Sequence, residues 1–208
     1  MKKITILCVV ALLCLKKSKA ERLKPKAFLL ITLLVCLLNG QLIAQVPKPI
    51  KIGDKLPPIF WQQKHQLYTG GNPNNITFQQ FKGKAMLLDF WATWCSPCLK
   101  SFPKMNGLQN QHGKYLNILM VNAYEQDTQA VLASFYKKQQ ETISGFSLKV
   151  IQSDTNLRTT FPIKGMPHYI WVGADGRIKA ITDAEAITEV SIKRFIAGLA
   201  INLKVKEN

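Results

Sequence analysis

Over most of the chain, two patterns of apolar and polar positions follow each other in turn. Short, nearly continuous apolar runs predict strands buried on both faces, at residues 85–92, 115–122 and 146–151. Apolar residues at three- and four-residue steps predict helices between them, at residues 95–109 and 126–140. Two apolar runs at 169–172 and 178–181 flank Asp175-Gly176, which predicts a hairpin because both residues tolerate positive φ.

Weaker patterns predict the remaining elements. We expect a strand over residues 59–68, a loop at 69–75, a short helix at 154–161 and a closing amphipathic helix over 187–205. Strands that alternate with helices imply parallel pairing, while the hairpin adds an antiparallel edge. The predicted fold class is therefore α/β, with a central mixed sheet flanked by helices and an N-terminal β extension.

Residues 1–44 have a different pattern and are predicted to be a targeting region. Two apolar runs of 12 residues, at 4–15 and 27–38, are separated by a basic stretch. The second run precedes Leu42-Ile43-Ala44, which favours a signal peptide cleaved after Ala44. The alternative is an uncleaved anchor over residues 27–44. Both place the basic stretch inside and the domain at residues 59–205 in the periplasm or otherwise outside the cytoplasm.

Charge and composition limit the classes of binding partner that the sequence predicts. The chain has a formal net charge of +16, which falls to +9 after residue 44 because 20 Lys and Arg then face 11 Asp and Glu. These lysines are scattered, which is typical of a solvated surface and does not predict a nucleic-acid site. Residues 45–58 are predicted to form a proline-rich extended leader. We expect membrane contact only through the N-terminal segment that precedes it.

The cysteines carry the clearest chemistry. Three of the five lie in the targeting region, and the other two form the Cys-x-x-Cys of Trp94-Cys95-Ser96-Pro97-Cys98. Cys95 is predicted at the start of a helix, where free N–H groups and the helix dipole stabilise a thiolate. Cys98 lies one turn further, can form a disulfide with Cys95 and should be more shielded. Ser96 and Pro97 form the active-site turn, where proline is tolerated.

Metal and haem sites fit this pattern poorly. A zinc site normally needs four ligands, but the chain has no second Cys pair, and His65, His112 and His168 lack ligand spacing. A c-type haem site requires His directly after the second Cys, where Leu99 stands. We therefore expect no metal and no cofactor beyond the cysteine pair.

The segment from Asp89 to Cys98 resembles the active site of thioredoxins. Pro103 matches the proline within the family's first active-site helix, and Gly165-Met166-Pro167 resembles its loop ending in a cis-proline. The leader and the helix at 126–140 are similar to TlpA/ResA-like extracytoplasmic reductases, some of which serve cytochrome c maturation. The resemblance covers about residues 51–203.

This resemblance implies roles for further residues. Asp89 matches the buried acid that exchanges a proton with the second cysteine, with a surface ion pair to Lys100 or Lys104 as the alternative. Pro167 should be cis, and the Met166 backbone should pair with the substrate beside Trp94.

Two further positions bear on the proton chemistry and the packing near the site. ResA-like reductases carry a glutamate three residues past the second cysteine, where this chain has Ser101. His168 is interpreted as a packing residue, with tuning of Cys95 as the alternative.

The resulting functional prediction is a disulfide reductase that uses a Cys95/Cys98 cycle on protein disulfides or thiols. A membrane thiol–disulfide electron carrier is the expected source of electrons. Ser-Pro between the cysteines offers no His to stabilise the thiolate, which favours a reductant. A thiol peroxidase and a redox-inactive binding module with the same fold are the alternatives.

Overall fold

The computed structural model describes residues 49–122, 124–152, 155–161 and 163–206. The strands are β1 (Lys64–Tyr68), β2 (Asn74–Thr77), β3 (Ala85–Trp91), β4 (Leu116–Asn122), β5 (Lys149–Ile151), β6 (His168–Val172) and β7 (Ile178–Thr182). The helices are α1 (Pro58–Gln62), α2 (Ser96–His112), α3 (Gln129–Thr142), α4 (Thr155–Thr160) and α5 (Glu189–Ile196). Short 3-10 turns cover Phe78–Phe81 and Ala184–Ala186. The predicted targeting region lies outside these residues.

Within the described residues, all seven strands form one sheet in the order β2-β1-β5-β4-β3-β6-β7. Strand β3 pairs in parallel with β4 and antiparallel with β6. The β1–β2 hairpin extends the sheet on one side, and the β6–β7 hairpin ends it on the other. The mixed sheet, the N-terminal β extension and the α/β class are therefore confirmed.

The two faces of β3 bury different side chains. Successive strand residues point to opposite faces, so Leu87 and Trp91 join a core with helices α2, α3 and α5. Met86, Leu88 and Phe90 join a second core with α1 and α4. All seven residues of β3 are buried, as its nearly continuous apolar pattern predicted. Asp89 is the one charged residue in this strand, and it lies between Leu87 and Trp91 on the α2 face.

Two predicted elements differ from the structure. Residues 58–62 form helix α1, not the first half of a strand, because Pro58 in its first turn suits a helix start. The closing helix ends at Ile196, not 205, because Gly198 adopts φ +69° and reverses the chain. The Gly198 N–H donates to the Phe195 carbonyl and the Leu199 N–H donates to the Arg194 carbonyl, each at 3.0 Å, which is a Schellman motif.

Among the residues that the structure describes, no helix is long and apolar enough to cross a membrane.

Candidate active site

Cys95 and Cys98 are joined by a disulfide at the start of α2. Cys95 is the N-cap residue, and its Sγ accepts a hydrogen bond from the Cys98 backbone N–H at 3.3 Å. The sulfur therefore occupies the position where a helix favours an anion. Cys95 keeps 3% of its surface exposed and Cys98 is fully buried, while Ser96 and Pro97 are exposed in the first turn. This order of exposure fits an attacking Cys95 and a resolving Cys98.

Asp89 is fully buried on the face of β3 that contacts α2. Lys100 and Lys104 are exposed on α2, so neither offers the surface ion pair considered from the sequence. Burial raises the pKa of Asp89 to about 8. Neither carboxyl oxygen makes a well-aligned hydrogen bond to a described residue. A weaker interaction with the Tyr169 side chain lowers the pKa of Asp89, but by less than burial raises it.

Tyr169 and Ser101 connect Asp89 to the active-site helix. Strand β6 places Tyr169 directly opposite Asp89, and the Tyr169 hydroxyl lies 3.2 Å from Ser101 Oγ. Ser101 Oγ in turn donates to the Cys98 carbonyl at 2.7 Å. Burial, together with the nearby Asp89, raises the pKa of Tyr169 well above its usual value, so the phenol keeps its proton. The sequence analysis missed Tyr169 because only the β3–β6 register brings it to Asp89.

The predicted substrate-binding residues Trp94 and Met166 line one open groove of about 410 Å³. Trp94 is 59% exposed, and its ring contacts that of Tyr124 edge-on with centroids 5.8 Å apart. The Met166–Pro167 peptide bond is cis, as the family resemblance implied. The groove therefore has an aromatic wall formed by Trp94 and Tyr124, and Trp94 directly precedes Cys95 in the chain.

Asp127 is a second residue that the sequence analysis did not identify with the site. It is buried and accepts hydrogen bonds from the Thr93 backbone N–H at 2.9 Å and from the Thr93 hydroxyl. Asn122 Nδ2 also donates to it at 2.7 Å. The next residue, Thr128, caps α3, and its Oγ1 accepts a hydrogen bond from the Val131 backbone N–H at 3.4 Å. Asp127 thereby fixes the backbone one residue before Trp94.

His168 belongs to the other face of the sheet. Its neighbour Tyr169 faces α2, so His168 points to the opposite core, where its ring centroid lies 6.0 Å from that of Phe90. Burial and the nearby Lys206 lower the pKa of His168 to about 4, so the ring is neutral at pH 7. The placement supports packing and not the alternative of tuning Cys95. Within the described ranges, no three His, Cys, Asp or Glu side chains are grouped as a metal site requires.

Comparison with curated proteins finds relatives that are thiol–disulfide oxidoreductases. The thiol-disulfide oxidoreductase ResA of Bacillus cereus is 30% identical over 107 residues, which are 50% of this chain. The chain spans only 57% of that relative's length. The predicted likeness to ResA is therefore confirmed over half of the chain.

Solved structures confirm the thioredoxin-like fold. A secreted Mycobacterium tuberculosis disulfide oxidoreductase matches with a TM-score of 0.53 and 15% identity, over 69% of this chain and 100% of that one. The reduced 2-Cys peroxiredoxin of Plasmodium vivax matches with a TM-score of 0.56 and 15% identity, over 72% and 81%. At these identities the likeness concerns the fold alone. The model of the Redoxin family matches residues 51–195, so the chain belongs to the redoxin family within the thioredoxin superfamily.

Proposed function

We propose that this protein is a thiol–disulfide oxidoreductase that reduces disulfides of other proteins. The observation that carries the proposal is the Cys95–Cys98 disulfide at the N-terminus of α2, with Cys95 as the N-cap. A sulfur in this position is stabilised as a thiolate, which is the reactive form. The ResA likeness and the groove between Trp94 and Met166 support the same function.

The proposed cycle has two steps and transfers two electrons. In the reduced protein, the Cys95 thiolate attacks one sulfur of a partner disulfide, so that a mixed disulfide forms and one partner thiolate leaves. Cys98 then loses its proton and attacks Cys95 Sγ. The second partner thiolate is released, the intramolecular disulfide forms, and the partner has gained the two electrons.

Asp89 is proposed as the base in the second step. Its carboxyl shares the α2 face of β3 with the core cluster that contains Cys98. A pKa of about 8 lies close to a working pH near neutrality, where a general base is most effective. In thioredoxins a buried acid has the matching position, so the same task is proposed for Asp89 here.

Turnover of insulin with dithiothreitol tests the proposed activity. The wild-type chain should reduce insulin repeatedly, Cys95→Ala should be inactive, and reduced Cys98→Ala, mixed with insulin after removal of dithiothreitol, should accumulate the mixed disulfide. An inactive wild type would contradict the proposal and favour the redox-inactive binding module. Peroxide consumption that survives Cys98→Ala would favour the thiol peroxidase.

The direction of electron flow is proposed from the turn between the cysteines. Ser96 and Pro97 offer no imidazole to stabilise the Cys95 thiolate, and a less stabilised thiolate makes a better reductant. Equilibration with glutathione measures this property. A reduction potential of about −250 mV would support a reductase, whereas one of about −120 mV would identify an oxidant.

Location and electron supply complete the proposal. The basic and apolar pattern of residues 1–44 supports export, by a cleaved signal or by an anchor over residues 27–44. A membrane thiol–disulfide carrier would then return Cys95–Cys98 to the dithiol. Sequencing the N-terminus of the protein from the periplasmic and membrane fractions distinguishes these forms. A mature protein that begins at Gln45 supports cleavage, and a cytoplasmic protein that keeps residues 1–44 contradicts export.

A further inference from the structure

Lys206 reaches from the C-terminal tail to the loop formed by residues 165–167. Its Nζ donates to the carbonyl oxygens of Gly165 and Pro167, each at 3.1 Å. The same ammonium forms an ion pair with Asp183 Oδ1 at 2.8 Å. Its backbone N–H donates to the Ile181 carbonyl at 2.8 Å, which attaches the tail to the end of β7. The Lys206 side chain is only 19% exposed, and its contact to Pro167 is partly buried, while Gly165 is exposed.

The Lys206 ammonium has three N–H donors, and each of them has an acceptor. Two of them hold the carbonyls on either side of Met166. Among the described residues, none forms a hydrogen bond with the Met166 backbone itself. The loop is thus fixed at both neighbours of Met166, while the N–H and carbonyl of Met166 stay available to another chain.

We propose that Lys206 is a positioning residue for substrate recognition: it holds the 165–167 loop so that the Met166 backbone can pair with an extended segment of the substrate protein. The inference rests on the proposed function, since it assigns a task within the same site. Holding a loop in its bound conformation improves affinity by lowering the ordering cost of binding. A lysine outside the Cys-x-x-Cys and loop motifs thereby becomes part of the recognition apparatus.

A purely stabilising ion pair is the competing explanation. Asp183 is half-exposed, and ion pairs of exposed groups stabilise proteins little. The contacts to the two carbonyls connect the tail to a different part of the fold, and the contact to Pro167 is partly buried. Asp183→Asn removes the ion pair and keeps the carbonyl contacts, so it separates the two explanations.

The kinetic test uses the full chain with Lys206→Met, which keeps the apolar stem and removes the three donors. Lys204→Met is the matched control, because Lys204 is an exposed lysine on the same tail. We expect Lys206→Met to raise KM for insulin about tenfold with kcat nearly unchanged, as the loss of charge-assisted hydrogen bonds suggests. Reduction of Cys95–Cys98 by dithiothreitol should be unchanged, because a small dithiol needs no strand pairing. Lys204→Met and Asp183→Asn should stay within about twofold of the wild type, and Lys206→Arg should recover part of the loss.

A second measurement does not depend on turnover. The backbone order parameter of the Met166 amide, measured by NMR relaxation in the oxidised protein, should be lower in Lys206→Met than in the wild type or in Lys204→Met. An unchanged order parameter, or an insulin KM within twofold of the wild type, would overturn the inference. Equal losses with insulin and dithiothreitol would also overturn it, because they would indicate a general structural effect. If the wild type does not reduce insulin, the proposed function fails, and the order parameter still decides whether Lys206 orders the loop.

Discussion

Replacement of Asp89 by Asn should stabilise the folded protein at neutral pH. The pKa of Asp89 rises from 3.8 to about 8 on folding because the carboxyl is buried without a charged partner. Between these values the folded chain holds a proton that the unfolded chain has released. The free energy of unfolding therefore falls as the pH increases through this window. Asn has nearly the same shape and is neutral, so it resembles the protonated acid and removes this dependence.

The expected size follows from the two pKa values. Each pH unit between them changes the free energy of unfolding by about 1.4 kcal/mol, so the penalty at pH 7 is about 4 kcal/mol. At pH 4 it is nearly zero. His168 acts in the opposite direction between about pH 4 and its ordinary value of 6.5, because burial lowers its pKa. Both proteins contain His168, so its contribution cancels when the free energy of unfolding of the wild type is subtracted from that of the variant.

Urea unfolding of the oxidised proteins at several pH values from 4 to 8 provides the assay. The stability gain of Asp89→Asn should grow from nearly zero at pH 4 to about 4 kcal/mol at pH 7. Glu141→Gln is the control, because Glu141 is exposed on α3 and should change little. A gain that is the same at all pH values, or a loss of stability at pH 7, would refute the argument that a buried unpaired carboxylate causes the penalty.

Three further predictions follow from individual contacts. Tyr169→Phe should raise the pKa of Asp89 further, because it removes the interaction that lowers it, and the pH at which stability levels off should move upward in urea unfolding. Asp127→Ala should lower the free energy of unfolding by about 1–3 kcal/mol and slow insulin reduction, because the partly buried donors of Thr93 and the buried amide of Asn122 lose their acceptor. Thr188→Ala should lower the melting temperature through a loss of about 1 kcal/mol, because it breaks the capping box of α5.

Local patterns were sufficient for much of the fold. The nearly continuous apolar run of β3 predicted a strand buried on both faces because a central strand contacts a core on each side. The Cys-x-x-Cys and its proline identified the start of α2 because the requirements of a helix N-terminus extend over only a few residues. The C-terminal helix was predicted too long because its apolar positions continue past Gly198. A single glycine with positive φ outweighed that pattern.

The residues that support the site depend on pairing between distant segments. Asp127 reaches Thr93 from 34 positions away, and Lys206 reaches Gly165 from 41 positions away. Tyr169 faces Asp89 through the register of β3 with β6. No local pattern of charge or hydrophobicity encodes these pairings, since each depends on how the whole sheet is assembled. The sequence therefore identified the reacting sulfurs and not the groups that position them.

This chain has Ser101 at the position where ResA-like reductases carry a glutamate, three residues past the second cysteine. The expected proton chemistry is therefore simpler. A serine hydroxyl does not ionise near neutral pH, and Tyr169 keeps its proton because its pKa is raised. Of the connected groups Asp89, Tyr169 and Ser101, only Asp89 changes its protonation state in this range. Release of the mixed disulfide should then depend on pH through two apparent pKa values that belong to the pair of Asp89 and Cys98. Stopped-flow measurement of that step should find both values in the wild type and only one in Asp89→Asn. Two values in the variant would require another proton acceptor beside Cys98.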